Sequence, residues 1–369
     1  MYRRKHRLFS LLLALYLMSF LLLFVCERGQ PAAKQTMKIH VLVTKTRAEA
    51  EEVLKLLRQG IPFTRLVRER SIGPNREKGG DMGYIDPDQV SPRVKQLLKG
   101  LGEGEYSTIL QTELGYTIFY HTTDRYYQEG KAHFQAGKLL PAVEALEKDI
   151  QLNPEREESL FLLGTIYESR ELYDQALSLF QRIVEIDPES VLAYNALGLV
   201  YEKMGNFRQA EAMYNKALAL NPDFYEARNN LANIYVKTGR TAEAMAEYNR
   251  AINAGADAAP VYYNLARLYA GMDSKLSEAI TLMKRAILLA PREARYREML
   301  ARLYVRSGEH DLAVAEMRKA LSLDPQNSRY RQALKQLEEA HHVPETGRPV
   351  TAWSPDHPLP LHPTAQAFT

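Results

Sequence analysis

The sequence predicts a small α+β domain followed by an all-α solenoid, the two together standing behind a single N-terminal membrane-spanning helix. Three observations carry this. Leu8 to Cys26 contains no charge, residues 37–124 mix strand-like and helix-like patterning, and from residue 123 onward similar phrases recur about every 34 residues. Composition agrees, since 369 residues with 46% hydrophobic and 25% charged content suit two or three folded regions and exclude a globally disordered chain. The formal net charge of +3 is too small to imply nucleic acid, and Lys and Arg are not interleaved with aromatics outside the first seven residues. With Cys26 as the single cysteine, no intrachain disulfide or cysteine-based zinc site is possible.

The N-terminus speaks to the compartment. A basic flank over 1–7 (Arg3, Arg4, Lys5, Arg7) precedes the apolar run at 8–26, which as a helix spans roughly 28 Å, about the thickness of a bilayer's hydrocarbon core. A cleaved signal would have a shorter apolar region of ~7–15 residues and a small-residue cleavage site, whereas Glu27 and Arg28 follow directly here. The run therefore reads as a signal anchor, and whether it is cleaved stays open. Cys26 reads as the end of a span rather than a lipid attachment point, because Phe24 and Val25 are not the small residues such processing needs. The positive-inside rule keeps the basic flank in the cytoplasm and sends the rest across, which places the bulk of the chain in the periplasm of a bacterium, held at the inner membrane.

Within 37–124 the alternation Ile39-His40-Val41-Leu42-Val43 reads as a strand with one polar side chain. A helix follows, opened by a Thr46/Glu49 capping box and closed by Gly60. Pro62 to Arg70 opens a second helix, and Gly79-Gly80-Asp81-Met82-Gly83 turns into a strand near Tyr84, with Asp81 pinning the turn. Pro92 to Leu101 supplies a third helix, and Tyr106–Leu110 and Tyr116–Tyr120 supply the closing strands. Whether the stretch from Thr122 to Tyr126 is stiff is not legible.

From Arg125 onward, Pro154, Pro188, Pro222, Pro291 and Pro325 end similar phrases at separations of 34, 34, 69 and 34. The gap of 69 holds two units with one extra residue near Asp273. Small residues precede aromatics by three positions (Gly164/Tyr167, Gly198/Tyr201, Ala232/Tyr235, Ala266/Tyr269, Ala301/Tyr304), and Ala142, Ala176, Ala210, Ala244, Ala279 and Ala313 mark a second helix that admits only a small side chain. This pattern resembles the tetratricopeptide repeat, with six units at about 123–156, 157–190, 191–224, 225–258, 259–293 and 294–327. A polar-faced helix at 328–342 is expected to cap the array. The tail at 343–369 carries six prolines from Pro344 to Pro363 and is expected to be disordered. Its histidines are not expected to bind metal, since nothing fixes their geometry.

The resemblance implies a superhelix whose concave groove is lined by the first helix of each unit. Its groove positions fall on Asn195, Lys203, Asn230, Lys237, Asn264, Arg267, Arg302 and Arg306, an amide-rich and basic set. Side-chain amides there suit the backbone of an extended polypeptide partner, and the cations suit an acidic segment or a C-terminal carboxylate. Solvated polar residues with no binding role are the simpler alternative for any one of them.

The order of elements in 37–124, with Ser71-Ile72-Gly73-Pro74, Gly79-Gly80-Asp81-Met82-Gly83, Gln89-Val90-Ser91-Pro92 and Gly115-Tyr116, resembles the parvulin family of peptidyl-prolyl cis-trans isomerases. That resemblance implies an apolar cup for a prolyl ring, with His40 as the first of two histidines, Thr112 as the supporting threonine, and Met82 and Val90 as walls. Three positions depart: Val94 replaces an aromatic wall, Thr117 stands at the second histidine, and Gly73 stands where a Cys or Asp is usual. The expected site is thus His40, Thr112 and Thr117 as the catalytic set, with Met82, Val90, Val94 and Gly73 around the substrate. No cofactor, metal or nucleic acid is implied. Weak isomerase activity in a foldase, with clients or partners recruited by the solenoid, is one expectation. A degenerate module serving as an envelope or secretion scaffold is the other, and His40 as a satisfied core histidine stays open.

Overall fold

The structure, a computed structural model, describes residues 36–341. The anchor expected at 8–26 and the tail expected at 343–369 lie outside the described residues. Among the described residues no helix is long and apolar enough to cross a membrane. The chain divides into two compact units, Met1–Ile166 and Tyr167–Thr369.

The first unit is built on four antiparallel strands, β1 (Met37–Thr44), β2 (Asp81–Ile85), β3 (Leu110–Thr112) and β4 (Gly115–Thr122), in the order β2-β1-β4-β3. Helices α1 (Arg47–Arg58), α2 (Phe63–Arg70) and α3 (Pro92–Lys99) cover it. Thr46 caps α1 as expected: its hydroxyl accepts from the Glu49 amide, and the Glu49 carboxylate accepts from the Thr46 amide. Strand alternation sends Leu42 and Ile118 to one face, against Val53, Leu57, Phe63 and Leu66 of α1 and α2. It sends Ile39, Val41, Val43 and Phe119 to the other, against Leu98 of α3. The stretch expected as a strand at Tyr106–Leu110 makes only a single bridge, Tyr106 to Tyr120, and the regular edge strand starts at Leu110.

The glycine-rich turn is dictated by close approach. Gly79 and Gly80 have φ of 61° and 78°, and a Cβ on Gly80 would lie 2.2 Å from the Val41 carbonyl oxygen. The Asp81 carboxylate accepts from the Gly83 amide at 2.7 Å, which fixes the way into β2.

Helices α4 (Arg125–Gln135) and α5 (Leu139–Leu152) belong to this first unit. Strand β4 ends at Thr122 and α4 starts at Arg125, so the connection has no slack. The Tyr120 hydroxyl donates to the Leu152 carbonyl, Thr122 bonds Asn153, and Thr64 and Arg68 of α2 both reach Glu155. Asp124 accepts from Lys38 at 2.8 Å and from Arg156 at 2.5 Å, and Arg156 also donates to Asp149 at 2.9 Å. Asp149 is fully buried; burial raises its pKa, against the opposing pull of Ser159, Arg156 and Asn153.

Helix α6 (Glu157–Ser169) contains the boundary at Ile166. The second unit continues with α7 (Tyr173–Ile186), α8 (Val191–Lys203), α9 (Phe207–Leu220), α10 (Tyr225–Lys237), α11 (Thr241–Asn253), α12 (Ala259–Ala270), α13 (Leu276–Leu289), α14 (Ala294–Ser307), α15 (His310–Leu323) and α16 (Ser328–His341). The alanines that mark second helices in this unit, from Ala176 to Ala313, are fully buried. At Gly198 an added Cβ would lie 2.5 Å from the Tyr214 ring, which is why α8 and α9 need a bare backbone there. One apolar core runs unbroken from Ala210 to Leu337 of α16, as stacking of units that cannot bury their faces alone requires. The extra residue near Asp273 is absorbed by a 3₁₀ turn, Asp273–Lys275.

Candidate active site and partner-binding face

The expected prolyl-site residues divide between the two faces of the sheet. Val43 pairs with Thr117 and His40 pairs with Tyr120, three residues apart along β1, so Thr117 and His40 point to opposite sides. On the α3 side lie Met82, Val90 and Val94, all half-buried against Val41, Val43 and Phe119. Gly73 adjoins them: a Cβ there would fall 2.7 Å from Val43 Cγ2, so the bare backbone is what lets the loop close on β1. The Ile72 amide bonds the Val43 carbonyl at 2.8 Å and the Ser71 hydroxyl accepts from the Val43 amide at 3.1 Å, anchoring that loop.

Thr112 and Thr117 meet on this same face at 2.9 Å between hydroxyl oxygens. Thr112 donates to the Gly115 carbonyl, so Thr117 is the donor in the pair. Thr117 is only 2% exposed and its hydroxyl is held on Thr112. The pair is a strap across the β3–β4 hairpin.

His40 stands on the other face of the sheet from the two threonines and from Met82, Val90 and Val94. It is 9% exposed, its Nδ1 lies 2.9 Å from the Gly79 carbonyl oxygen, and its ring meets Tyr120 edge-on at 6.4 Å between centroids. A carbonyl only accepts, so Nδ1 carries the proton and Nε2 is left as an acceptor. Burial lowers the pKa of the imidazole, outweighing the Gly79 bond and the nearby Asp81, and keeps it neutral at physiological pH. The ring faces a cavity of about 650 Å³ inside the first unit. Tyr120, in the same wall, has its hydroxyl pushed up to about 12 by burial.

The solenoid residues expected to meet a partner are engaged with one another. Asn230 donates to Asn195 at 3.2 Å, and Asn264 donates to Asn229 at 3.0 Å and to Asn233 at 3.2 Å. Tyr248 donates to Asn233 at 2.5 Å. Asn230 and Asn264 are at most 1% exposed and link neighbouring units, and Arg302 is 2% exposed. Arg302 pairs with Glu298 at 2.8 Å, and Arg267 is largely buried near Tyr263 and Tyr248, with burial lowering its pKa. The remaining cations are matched one unit back, Lys203 with Glu168, Lys237 with Glu202 at 2.8 Å and Arg306 with Asp273 at 2.5 Å. Lys203, Lys237 and Arg306 keep 41%, 38% and 24% side-chain exposure, so a partner meets a ladder of ion pairs and not bare positive charge.

Comparison with known proteins fits both halves. Residues 39–123 match a Rotamase family model described as a PPIC-type PPIASE domain, and three tetratricopeptide-repeat models match 158–223, 195–260 and 272–337. The foldase protein PrsA of Bacillus subtilis is 34% identical over 87 residues, covering 23% of this chain and 30% of that protein. The chaperone SurA of Nitrosococcus oceani is 30% identical over 101 residues, covering 25% of this chain and 24% of that one. The chain thus spans less than a third of the length of these relatives. Among solved structures, the APC/C hetero-tetramer Cut9–Hcn1 shares the fold at a TM-score of 0.51 with 18% identity, over 57% of this chain and 42% of that one. Residues 39–123 therefore form a PPIC-type rotamase domain of parvulin kind, and the helix pairs that follow are tetratricopeptide repeats.

Proposed function

We propose that the chain is a membrane-anchored foldase of the bacterial periplasm, a peptidyl-prolyl cis-trans isomerase whose solenoid recruits the polypeptides it acts on. The observation that carries this is the half-buried apolar patch of Met82, Val90 and Val94 on the α3 face of a domain matching the PPIC type. Rotation about an X–Pro bond faces a barrier of about 20 kcal/mol from amide resonance and takes tens of seconds unaided. Nothing covalent is required. Seating the ring on an apolar patch strips water from the amide, and resonance, which favours a charge-separated polar form, is weaker there. The kinship with PrsA and SurA, a foldase and a chaperone by name, supports action on polypeptides. The uncharged run at 8–26 behind a basic flank supports the anchor and the compartment.

A protease-coupled isomerisation assay on the purified chain, with peptides varying the residue before proline, tests the activity. Acceleration above buffer that Met82→Asp abolishes is expected, and buffer rates for every peptide would rule the isomerase out. A second reading, a scaffold that binds proline segments without turning them over, is favoured by one observation: the only hydroxyl pair among the expected site residues, Thr112 and Thr117, is closed on itself. Binding of the same peptides with no acceleration would establish it. Protease protection of the bulk of the chain in inside-out membrane vesicles is expected for periplasmic placement, and its digestion there would contradict that placement.

A further inference from the structure

The cavity that His40 faces lies on the opposite side of the sheet from Met82, Val90 and Val94, and nothing in the isomerase reading uses it. Its volume of about 650 Å³ is within the range of roughly 300–1,000 Å³ that holds small ligands. Phe63 and Tyr120 stack at 5.1 Å in its wall, joined by Tyr106 and Leu152, while Gln151 sits exposed at its rim. The inner charged groups are matched, Lys38 and Arg156 on Asp124 and Arg68 on Glu155, while Glu77, Lys78 and Glu158 line it as exposed side chains. An ionic ligand would have to compete with those pairs, so the interior favours an uncharged one. His40, nine-tenths buried, has Nδ1 tied to Gly79, and among the described residues no hydrogen bond engages its Nε2. An imidazole acceptor on the wall of a cavity, beside stacked aromatic rings, offers a partner to a ligand N–H or O–H.

We propose that this cavity is a second peptide-binding site, taking a short uncharged segment with an aromatic or large aliphatic side chain, one backbone N–H of which donates to His40 Nε2. The aromatic wall holds the side chain and the rim glutamine offers both a donor and an acceptor to the flanking amides. Proline is not needed, so the site stands independently of the isomerase reading. In a foldase, such a site would hold an apolar stretch of the same client while the other face works on a proline.

The test uses the full chain and acetyl-Ala-Ala-(p-benzoylphenylalanine)-Ala-amide, a photoreactive probe with no proline and no charge. Saturable labelling on the tryptic peptides that carry Phe63, Tyr106 or Tyr120 is expected. Gln151→Trp, an exposed rim change, should cut that labelling tenfold or more by closing the mouth while leaving isomerisation of a proline peptide unchanged. His40→Phe, which keeps a ring and deletes the acceptor, should weaken it by about 2- to 12-fold, the worth of one neutral hydrogen bond. Labelling that does not saturate, that falls only on Met82–Val94 or the solenoid helices, or that ignores Gln151→Trp would overturn the proposal. Intact labelling in a chain with no isomerase activity would sink the isomerase reading alone.

Discussion

Replacing Asp124 by Asn should loosen the first unit without touching the second. The carboxylate is 27% exposed and sits between Lys38, 16% exposed, and Arg156, 12% exposed. Removing one member of a fully buried ion pair costs about 3–5 kcal/mol, because the partner charge is stranded. Here each cation keeps a second acid, Arg156 with Asp149 at 2.9 Å and Lys38 with Asp81 at 3.8 Å, which lowers the expected loss to about 2–3 kcal/mol. Hydrogen–deuterium exchange on the full chain reads this locally. Protected amides of β1, β4 and α5 should exchange roughly 30- to 150-fold faster, since each 1.4 kcal/mol is about tenfold, while amides of α12 to α15 stay as they were. A change of less than threefold in β1 would refute the reasoning, for it would mean that the hub between strand and helix pair carries no stability. The sign with pH follows from the same group. Burial raises the Asp124 pKa, but Lys38 and Arg156 outweigh it and hold the carboxyl below its ordinary value. Its contribution is therefore present above about pH 4 and lost as pH falls further, and the Asn variant should lack that slope.

Other consequences are open to equally direct measurement. Because burial lowers the His40 pKa, the unfolded chain takes up the proton first; the first unit should be fully stable above about pH 6.5 and weaken as pH falls through that value, with His40→Phe flattening the dependence in equilibrium unfolding. Val94→Phe, which rebuilds an aromatic wall in the patch, should raise kcat/KM for proline peptides by about fivefold or more, since added apolar contact is worth about 1–3 kcal/mol; unchanged or lower kcat/KM would show that Val94 does not border the substrate. Gly198→Val should destabilise the second unit by about 1–3 kcal/mol, since its Cβ would press on the Tyr214 ring 2.5 Å away, and urea unfolding would show a matching fall in midpoint. Lys237→Glu would face Glu202 with a like charge and should lower the melting temperature of the second unit more at low salt than at high.

Local signals in the sequence carried well into the fold. The Thr46 and Glu49 spacing marks a capping box that forms atom for atom, and the buried alanines and close-packed Gly198 follow from a period of 34. What the sequence hid is what depends on pairing between distant segments. His40 and Thr117 both fit a parvulin-like site on paper, yet which face each takes is set by the register of β1 on β4, and a one-residue difference reverses it. The docking of α4 and α5 on the sheet is made by contacts such as Lys38 to Asp124 and Arg68 to Glu155, more than eighty residues apart, with no periodic trace. In the solenoid the groove amides were visible as residue types at repeat spacing. That they satisfy one another was foreshadowed only by their density, with Asn229, Asn230 and Asn233 crowded on one helix beside Asn264 on the next first helix.

Exchange spectroscopy by NMR tests most directly whether the α3-face patch of Met82, Val90 and Val94 is a working prolyl site. A Leu-Pro peptide mixed with a small fraction of the full chain should show cis–trans exchange cross-peaks within a second, far faster than the tens of seconds of the free peptide. Those cross-peaks should vanish with Met82→Asp and persist with Gln151→Trp. Exchange no faster than in buffer, or exchange indifferent to Met82→Asp, would contradict that role.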